Sequence, residues 1–421
     1  MIRLPTTTWG DLEIFYEDLP LTPSDITDAS WLRAGVARAE WGRHSVVIST
    51  GPYVGRLLVP GRCVIDVHEL VPGTVETLLP LAYSGVRHAE EIGAAGITTL
   101  PPWITLLNRY GELLYEYVSS GIERRYLSRR WETSIPRGRI DIERTIRLHR
   151  ARGRSHLLSC VVRELTEDTS FHRLLLSAAV RADRILGEGA TTSGLRALRQ
   201  SLVAFTAVPV ETSPDIRSAR ADLGPYATEE LVGLLDLAEL IVKGVSALPE
   251  DAFDREQPAS VWINVEAIFE QAVRKLVAEL LSSPVHAGRG DSVQLLRDGE
   301  SLEADPDIVI HHAEGTVIID AKYRRHGTDV SRPELYQLMA HALAYEARHA
   351  ALVTPRIRAT DTDRFLGIDS RDCIYDVVAV DTHSADLLRT QLEAWLVHCG
   401  ATAVDPADSG LVSSLRVRAH D

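Results

Sequence analysis

"PDIVIHHAEGTVIIDAKYR", Pro306 to Arg324, consists of two short apolar runs separated by His311-His312-Ala313-Glu314-Gly315. An aspartate opens the first run, and Asp320-Ala321-Lys322 closes the second. Side chains alternate across a strand, so Asp320 and Lys322, two apart, share one face. A turn of about five residues at 311–315 lets the two runs pair as a hairpin, which carries Asp307 toward them. Two carboxylates and a lysine then converge at the ends of strands that are otherwise apolar. Charged strand ends that serve solubility are one account of this pattern; a metal site for phosphodiester hydrolysis is the other.

The flanking sequence supplies an order of elements. Before the hairpin, Trp262–Ser282 places Val265, Ile268, Phe269, Ala272, Val273, Leu276, Val277 and Leu280 on one helical stripe. SVQLLR (292–297) reads as a strand, and the two runs of the hairpin follow it. A helix from about Pro333 through His349 has proline in its first turn, and the strand-like ALVT and IYDVVAVD come next. The closing helix is SADLLRTQLEAWLV. The expected fold class is mixed α/β (α+β), with an αβββαβ core resembling restriction endonucleases in residues 258–421.

Carboxylates and a backbone carbonyl are the hard oxygen ligands Mg²⁺ prefers, and Mg²⁺ keeps waters that can be delivered to a phosphate. The expected metal set is Asp307, Asp320 and the Ala321 carbonyl, with room for two-metal use. Lys322 would orient or deprotonate the water, or stabilise charge on the phosphate. Glu270 is a third candidate carboxylate, although Glu266, Glu270 and Arg274 are spaced by four and equally describe an exposed ion-pair ladder. Gln337 and His341, also four apart, are auxiliary candidates. His311-His312 reads as turn, since no third ligand has the spacing for zinc.

Other chemistries are excluded. The sequence has no Gly-x-Ser-x-Gly elbow, no His-Glu-x-x-His, and no Gly-x-Gly-x-x-Gly opening a helix. Only three of the 45 basic residues are lysines, Lys243, Lys275 and Lys322, and none precedes Ser or Thr. A phosphate-binding loop is therefore missing, and no nucleotide is expected on this chain. Scarcity also makes the lysine of the quoted stretch chemically distinctive, an ammonium where the chain otherwise uses guanidinium.

The 421 residues, 45% hydrophobic and 25% charged, suffice for two or three domains with real cores. No apolar run is long enough to span a bilayer, and the first residues lack the basic start and apolar core of a signal peptide, so a cytoplasmic protein without membrane contact is expected. Cys63, Cys160, Cys373 and Cys399 form no Cys-x-x-Cys pair and read as reduced packing residues. SVVIST, YVGRLLVP and CVIDVHEL are β-rich and divided by Gly51-Pro52 and Pro60-Gly61, which suggests a small β-rich domain over 1–75. Residues 76–257 read as mostly helical, with helices at about 74–120, 157–188, 192–208 and 228–247, a turn at Ser213-Pro214-Asp215, and a linker at 248–260. Within them, 121–156 carries eleven arginines against Glu123, Glu132, Asp141 and Glu143, although the whole chain has a net charge of −14. Solvated ion pairs or phosphate contact would both produce such an island.

The quoted stretch resembles the nuclease motif of the PD-(D/E)xK superfamily, and its surroundings resemble the McrC family, the endonuclease subunit of the McrBC 5-methylcytosine-directed restriction system. The other segments that carry the likeness are GIERRYLSRRWETSIPRGRID at 121–141, ELTEDTSFHRLL at 164–175, INVEAIFE at 263–270 and ELYQLMAHALAY at 334–345. Five segments in the right order, over about 110–355, are more specific than the nuclease motif alone. There are departures: His172 stands where asparagine is more common, His341 where tyrosine is common, and IDVHELVP replaces an Ile-x-Pro-Lys run.

The resemblance implies that Asp307, Asp320 and Lys322 are the catalytic set, with Glu270 as a helix glutamate. It implies a Mg²⁺-dependent endonuclease of a modification-dependent restriction system, cutting double-stranded methylated DNA as a defence against foreign DNA. The implied partner is an McrB-like AAA+ GTPase hexamer that recognises the DNA and whose GTP hydrolysis this chain stimulates. Residues 1–75 resemble the region that engages that ring, and Arg124, Arg125, Arg137 and Arg139 are candidate contacts to DNA or partner. Two other readings fit the residues: a non-catalytic adaptor that activates the ring, and a standalone DNA repair nuclease.

Overall fold

The computed structural model describes residues 2–27, 29–83, 102–187, 192–224, 227–244, 260–281, 293–294, 303–312, 315–325, 327–369 and 372–401. Two compact units emerge, one of residues 1–106, 244–246 and 257–421, the other of 107–243 and 247–256. The boundary expected at about 257 falls where the first unit resumes, whereas the one expected at about 75 has no counterpart, because the N-terminal strands and the C-terminal block fold into a single unit.

The first unit begins with β1 (Ile2–Thr7), β2 (Asp11–Phe15), α1 (Pro23–Thr27), α2 (Ser30–Arg33), β3 (Ala37–Trp41), β4 (Ser45–Thr50), β5 (Tyr53–Val59), β6 (Cys63–His68) and α3 (Thr74–Ala82). The three β-rich runs of the sequence are β4, β5 and β6. β2, β4 and β3 form one antiparallel sheet, while β1, β6 and β5 lie in a second. Alternation explains the core between them: Val46 and Ile48 of β4 and Leu57 and Val59 of β5 bury against Trp31, whose indole N–H donates to the Leu58 carbonyl at 2.9 Å.

The second unit contains most of α4 (Pro102–Ser120), then β7 (Arg125–Thr133), β8 (Arg139–Ile140), α5 (Ile142–Leu148), β9 (Leu158–Thr166), α6 (Ser170–Gly187), α7 (Ser193–Leu202), α8 (Ile216–Leu223) and α9 (Glu229–Gly244). The helix expected at 157–188 is in fact a strand followed by a helix. LSCVVRELT pairs antiparallel with β7 over its whole length, and a distant partner overrides the local helical reading. Asp215 of the predicted turn caps α8 by accepting from Ser218 N at 3.1 Å.

The first unit resumes with β10 (Val261–Asn264), α10 (Val265–Leu280), β11 (Val293–Gln294), β12 (Glu303–Ala304), β13 (Ile308–His312), β14 (Gly315–Ala321), α11 (Arg332–Ala344), β15 (Ala347–Pro355), β16 (Arg364–Ile368), β17 (Ile374–Val380) and α12 (Ala385–His398). The helix expected from Trp262 starts at Val265 instead. Val261–Asn264 is a strand paired antiparallel with β5, and Asn264 caps α10 by accepting from Ala267 N at 3.1 Å. The main sheet has the order β13-β14-β15-β17-β16, with β13 and β14 an antiparallel hairpin and β14, β15 and β17 parallel. The crossover from β14 to β15 is α11, begun by a Ser331–Glu334 capping box, and it packs Leu338 and Ala342 on Ile318, Leu352 and Val377. Of the expected strand SVQLLR only Val293–Gln294 is described; it pairs with β12 in a separate two-stranded ladder and so is not a strand of the main sheet. Of the expected linker, 248–259 lies outside the described residues. Among the described residues no helix is long and apolar enough to cross a membrane.

Gly55 permits the β5–β10 pairing. Its φ is +149°, and a Cβ there would meet the Val261 carbonyl oxygen at 2.1 Å. Gly55→Ala is expected to destabilise the chain by about 2 kcal/mol or more, read from urea unfolding, because both the backbone angle and the contact oppose it.

Candidate active site

Register places the acidic pair. Ile308 pairs with Ile319, so one residue further out Asp307 stands beside Asp320. The Asp307 carboxylate accepts from Ala321 N at 2.7 Å through Oδ2, which fixes the side chain on the hairpin and leaves Oδ1 for another partner. Asp320 is 2% exposed. Lys322, whose N–H extends the parallel pairing to the Val353 carbonyl at 2.9 Å, brings Nζ to 3.5 Å from Asp320 Oδ2. The three residues singled out in the sequence therefore meet.

Helix α10 adds two further carboxylates. Glu266 and Glu270 lie one turn apart and half-buried. Burial, then Asp307, raises the Glu270 carboxyl above its ordinary range. Glu266 is likewise raised by burial, against the pull of Lys322 and with the push of Asp307 and Glu270. The sequence offers Glu266 only as a rung of an ion-pair ladder; its spacing of four from Glu270 on the same helix is the signal that joins it to the site. The ladder is also partly real, since Arg274 pairs with Glu270, and its Nε donates to the Asp307 carbonyl at 3.5 Å.

Electrostatics show what the cluster lacks. Burial and the neighbouring Asp320 charge push the Asp307 carboxyl up to about 7, and burial raises Asp320 in spite of Lys322. Two buried carboxylates side by side resist ionising together, which a divalent cation would relieve. Among the described residues no three carboxylate or imidazole side chains already close around one point. The donors fit Mg²⁺ rather than zinc: two carboxylates and the Ala321 carbonyl are hard oxygen ligands, and Mg²⁺ completes its shell with water and phosphate. Burial by itself would lower the Lys322 ammonium, but Asp320, Asp307 and Glu266 outweigh it, so Lys322 stays charged.

The auxiliary candidates separate. His341 is 5% exposed on α11, and its imidazole is held below the ordinary histidine value by burial and by Lys322, which places it within range of the site's charge. Gln337 is exposed. The side chain of His312 lies outside the described residues, and His311, expected in the turn, is a strand residue instead: it pairs with Thr316 in the β13–β14 ladder and bonds its hydroxyl at 3.1 Å.

A family described as "McrBC 5-methylcytosine restriction system component" matches residues 75–355. The chain belongs to that family. A refined half-complex from a tetradecameric assembly of Thermococcus gammatolerans McrB AAA+ hexamers with bound McrC contains a similar chain. The two share 16% identity at a TM-score of 0.53, over 94% of this chain and 100% of that one, a likeness of fold. A cryo-EM structure of the Thermococcus gammatolerans McrBC complex matches 66% of this chain and 88% of that one, with 16% identity and a TM-score of 0.36. No curated protein matches the sequence.

Two of the other segments that carry the McrBC likeness, 121–141 and 164–175, lie in the second unit. Asp168 of ELTEDTSFHRLL accepts from Arg129 of β7 and from Arg173 Nη2 at 2.9 Å, and Arg173 and Arg129 hold its carboxyl below the usual range. His172 donates from Nδ1 to the Glu167 carbonyl and accepts from the Tyr117 hydroxyl on Nε2 at 2.6 Å. Only the neutral ring can do both. Of the four candidate contact arginines, Arg124 pairs with Glu167 at 2.8 Å and Arg125 with Glu123 at 2.9 Å. Arg137 and Arg139 are exposed and make no ion pair among the described residues.

Burial holds His172 below its ordinary value of 6.5. The unfolded chain therefore takes up the proton first, so the stability His172 contributes is complete above about pH 6.5 and is lost as pH falls below it. Amide-exchange protection in α6, corrected for intrinsic rates, is expected to decline from pH 7 to 5.5, and to decline less in His172→Asn.

Proposed function

We propose that this chain is the Mg²⁺-dependent endonuclease subunit of a McrBC-type, modification-dependent restriction system, cutting DNA when assembled with a AAA+ GTPase. The observation that carries the reading is the pair of buried Asp320 and half-buried Asp307, with Lys322 3.5 Å from Asp320, on a strand hairpin of a McrBC family member. Asp307, Asp320 and the Ala321 carbonyl are assigned to hold the cation. Bound there, Mg²⁺ would supply Lewis-acid activation of water and neutralise charge on the phosphate.

The remaining chemistry belongs to the chain. Lys322, whose ammonium the surrounding carboxylates favour, is assigned to orient or deprotonate the attacking water, or to stabilise charge on the phosphate in the transition state. Asp320 holds that ammonium in place. Glu266 and Glu270 are assigned to bind further waters of the site, with Arg274 restraining Glu270. Mg²⁺-dependent cleavage of methylated plasmid, with a AAA+ partner and GTP, is expected to fall at least about a thousandfold in Asp320→Asn while the fold is kept. A well-folded Asp320→Asn that still cuts rules out this site. Absence of cutting in every mixture, with the partner's GTP hydrolysis still accelerated, favours the adaptor.

The partner assignment is supported by a surface on the second unit. Arg130, Arg137 and Arg139 are exposed beside exposed Trp131, Ile135 and Ile140. Arginine mixed with exposed isoleucine and aromatic side chains matches the composition of a protein contact. We assign this surface to the AAA+ ring, alongside the expected role of residues 1–75. Arg137→Glu with Arg139→Glu is expected to reduce stimulation of the partner's GTP hydrolysis about tenfold or more, measured with the full chain. Unchanged stimulation, with weaker DNA retention instead, would move these arginines to DNA.

A further inference from the structure

The segment that follows Lys322 is held by a residue from the far end of the chain. The Trp9 indole N–H donates to the Tyr323 carbonyl at 3.0 Å, and the Trp9 carbonyl accepts from Arg325 Nη1 at 2.8 Å. Arg325 also approaches Asp11 Oδ2 at 3.9 Å. One residue thus grips both sides of Arg324, immediately after the lysine. Tyr323 itself is fully buried, with its ring 6.1 Å from that of Phe269, the neighbour of Glu270.

Trp9 is in an unusual conformation. Its φ is +58°, left-handed backbone that a side chain as bulky as tryptophan rarely adopts. The turn is fixed from several directions. Thr8 N donates to the His68 carbonyl at 2.8 Å, Trp9 N to the Gly51 carbonyl at 3.0 Å, and Gly10 N to the Thr7 carbonyl at 2.9 Å. The Thr50 hydroxyl donates to the Thr7 carbonyl at 2.7 Å, and a Cβ on Gly10 would meet Thr6 Oγ1 and the Thr7 carbonyl at 2.8 Å. A strained residue so thoroughly held is a place where structure is spent on function. Here the conformation points the indole at the carbonyl after Lys322.

The same small sheets also hold the other side of the site. β5 pairs with β10, Val265 N donates to the Pro52 carbonyl at 2.8 Å, and α10 with Glu266 starts there. The carboxylate helix and the lysine strand are therefore referenced to one N-terminal frame. From this we infer that Trp9 is a positioning residue for Lys322: its N–H sets the position of the ammonium relative to the reacting phosphate. The inference rests on the nuclease reading given above.

The test uses the full chain with the AAA+ partner, GTP, Mg²⁺ and methylated plasmid. Trp9→Phe keeps the ring and deletes the N–H. The maximal cleavage rate is expected to fall about tenfold, as a small displacement of a catalytic group does, while the plasmid and Mg²⁺ concentrations for half-maximal rate stay unchanged. A role in stability alone would lower the thermal midpoint and leave that rate intact. Arg325→Ala, at a half-exposed side chain, removes the second grip and is expected to reduce the maximal rate several-fold; it decides the matter if Trp9→Phe does not fold. Wild-type maximal rates in a folded Trp9→Phe, or in Arg325→Ala where Trp9→Phe fails to fold, overturn the inference. Asp320→Asn runs beside them: inactive Asp320→Asn with fully active Trp9→Phe and Arg325→Ala sinks the positioning role alone, whereas active Asp320→Asn sinks the nuclease reading and the positioning role with it.

Discussion

Four residues, Val261–Asn264, pair antiparallel with Tyr53–Arg56, and through that short ladder the first strands of the chain become the frame of its last. The pairing sets where Asn264 can cap α10, and hence which turn of the helix presents Glu266 and Glu270. It is possible only because Gly55 leaves no Cβ between the strands. The two carboxylates of α10 are oriented through this contact.

The site itself is built against electrostatic preference. Burying Asp307 beside Asp320 raises both carboxyls, and Glu266 and Glu270 add like charge. Such a cluster is stable only with cations, and one ammonium cannot satisfy four carboxylates. Arg274 compensates Glu270 and Lys322 compensates Asp320, which leaves Asp307 the carboxylate of the two strands without a salt bridge of its own among the described residues.

The second unit uses its charge differently. Where carboxylates are near, its arginines are structural: Arg129 and Arg173 clamp Asp168, and Arg124 meets Glu167. Arg130, Arg137 and Arg139 are left toward solvent among exposed isoleucines. A run of eleven arginines in sequence is therefore two populations in space, and no spacing rule separates them, because the separating carboxylates, Glu167 and Asp168, come from the loop between β9 and α6.

The sequence by itself determined the hairpin and its triad: alternation and a short turn are local, and they place Asp320 and Lys322 on one face and Asp307 beside them. It indicated the crossover helix through Pro333 in its first turn, and the family through five ordered segments. Tertiary structure alone decided the strand at 158–166, the strand at 261–264 and the site role of Glu266. In each case the deciding partner, β7, β5 or the facing hairpin, lies far away in sequence. A helix-like stretch becomes a strand, and a ladder glutamate joins a site, only when a distant backbone or charge arrives to meet it, and that arrival is a property of packing which local pattern does not encode.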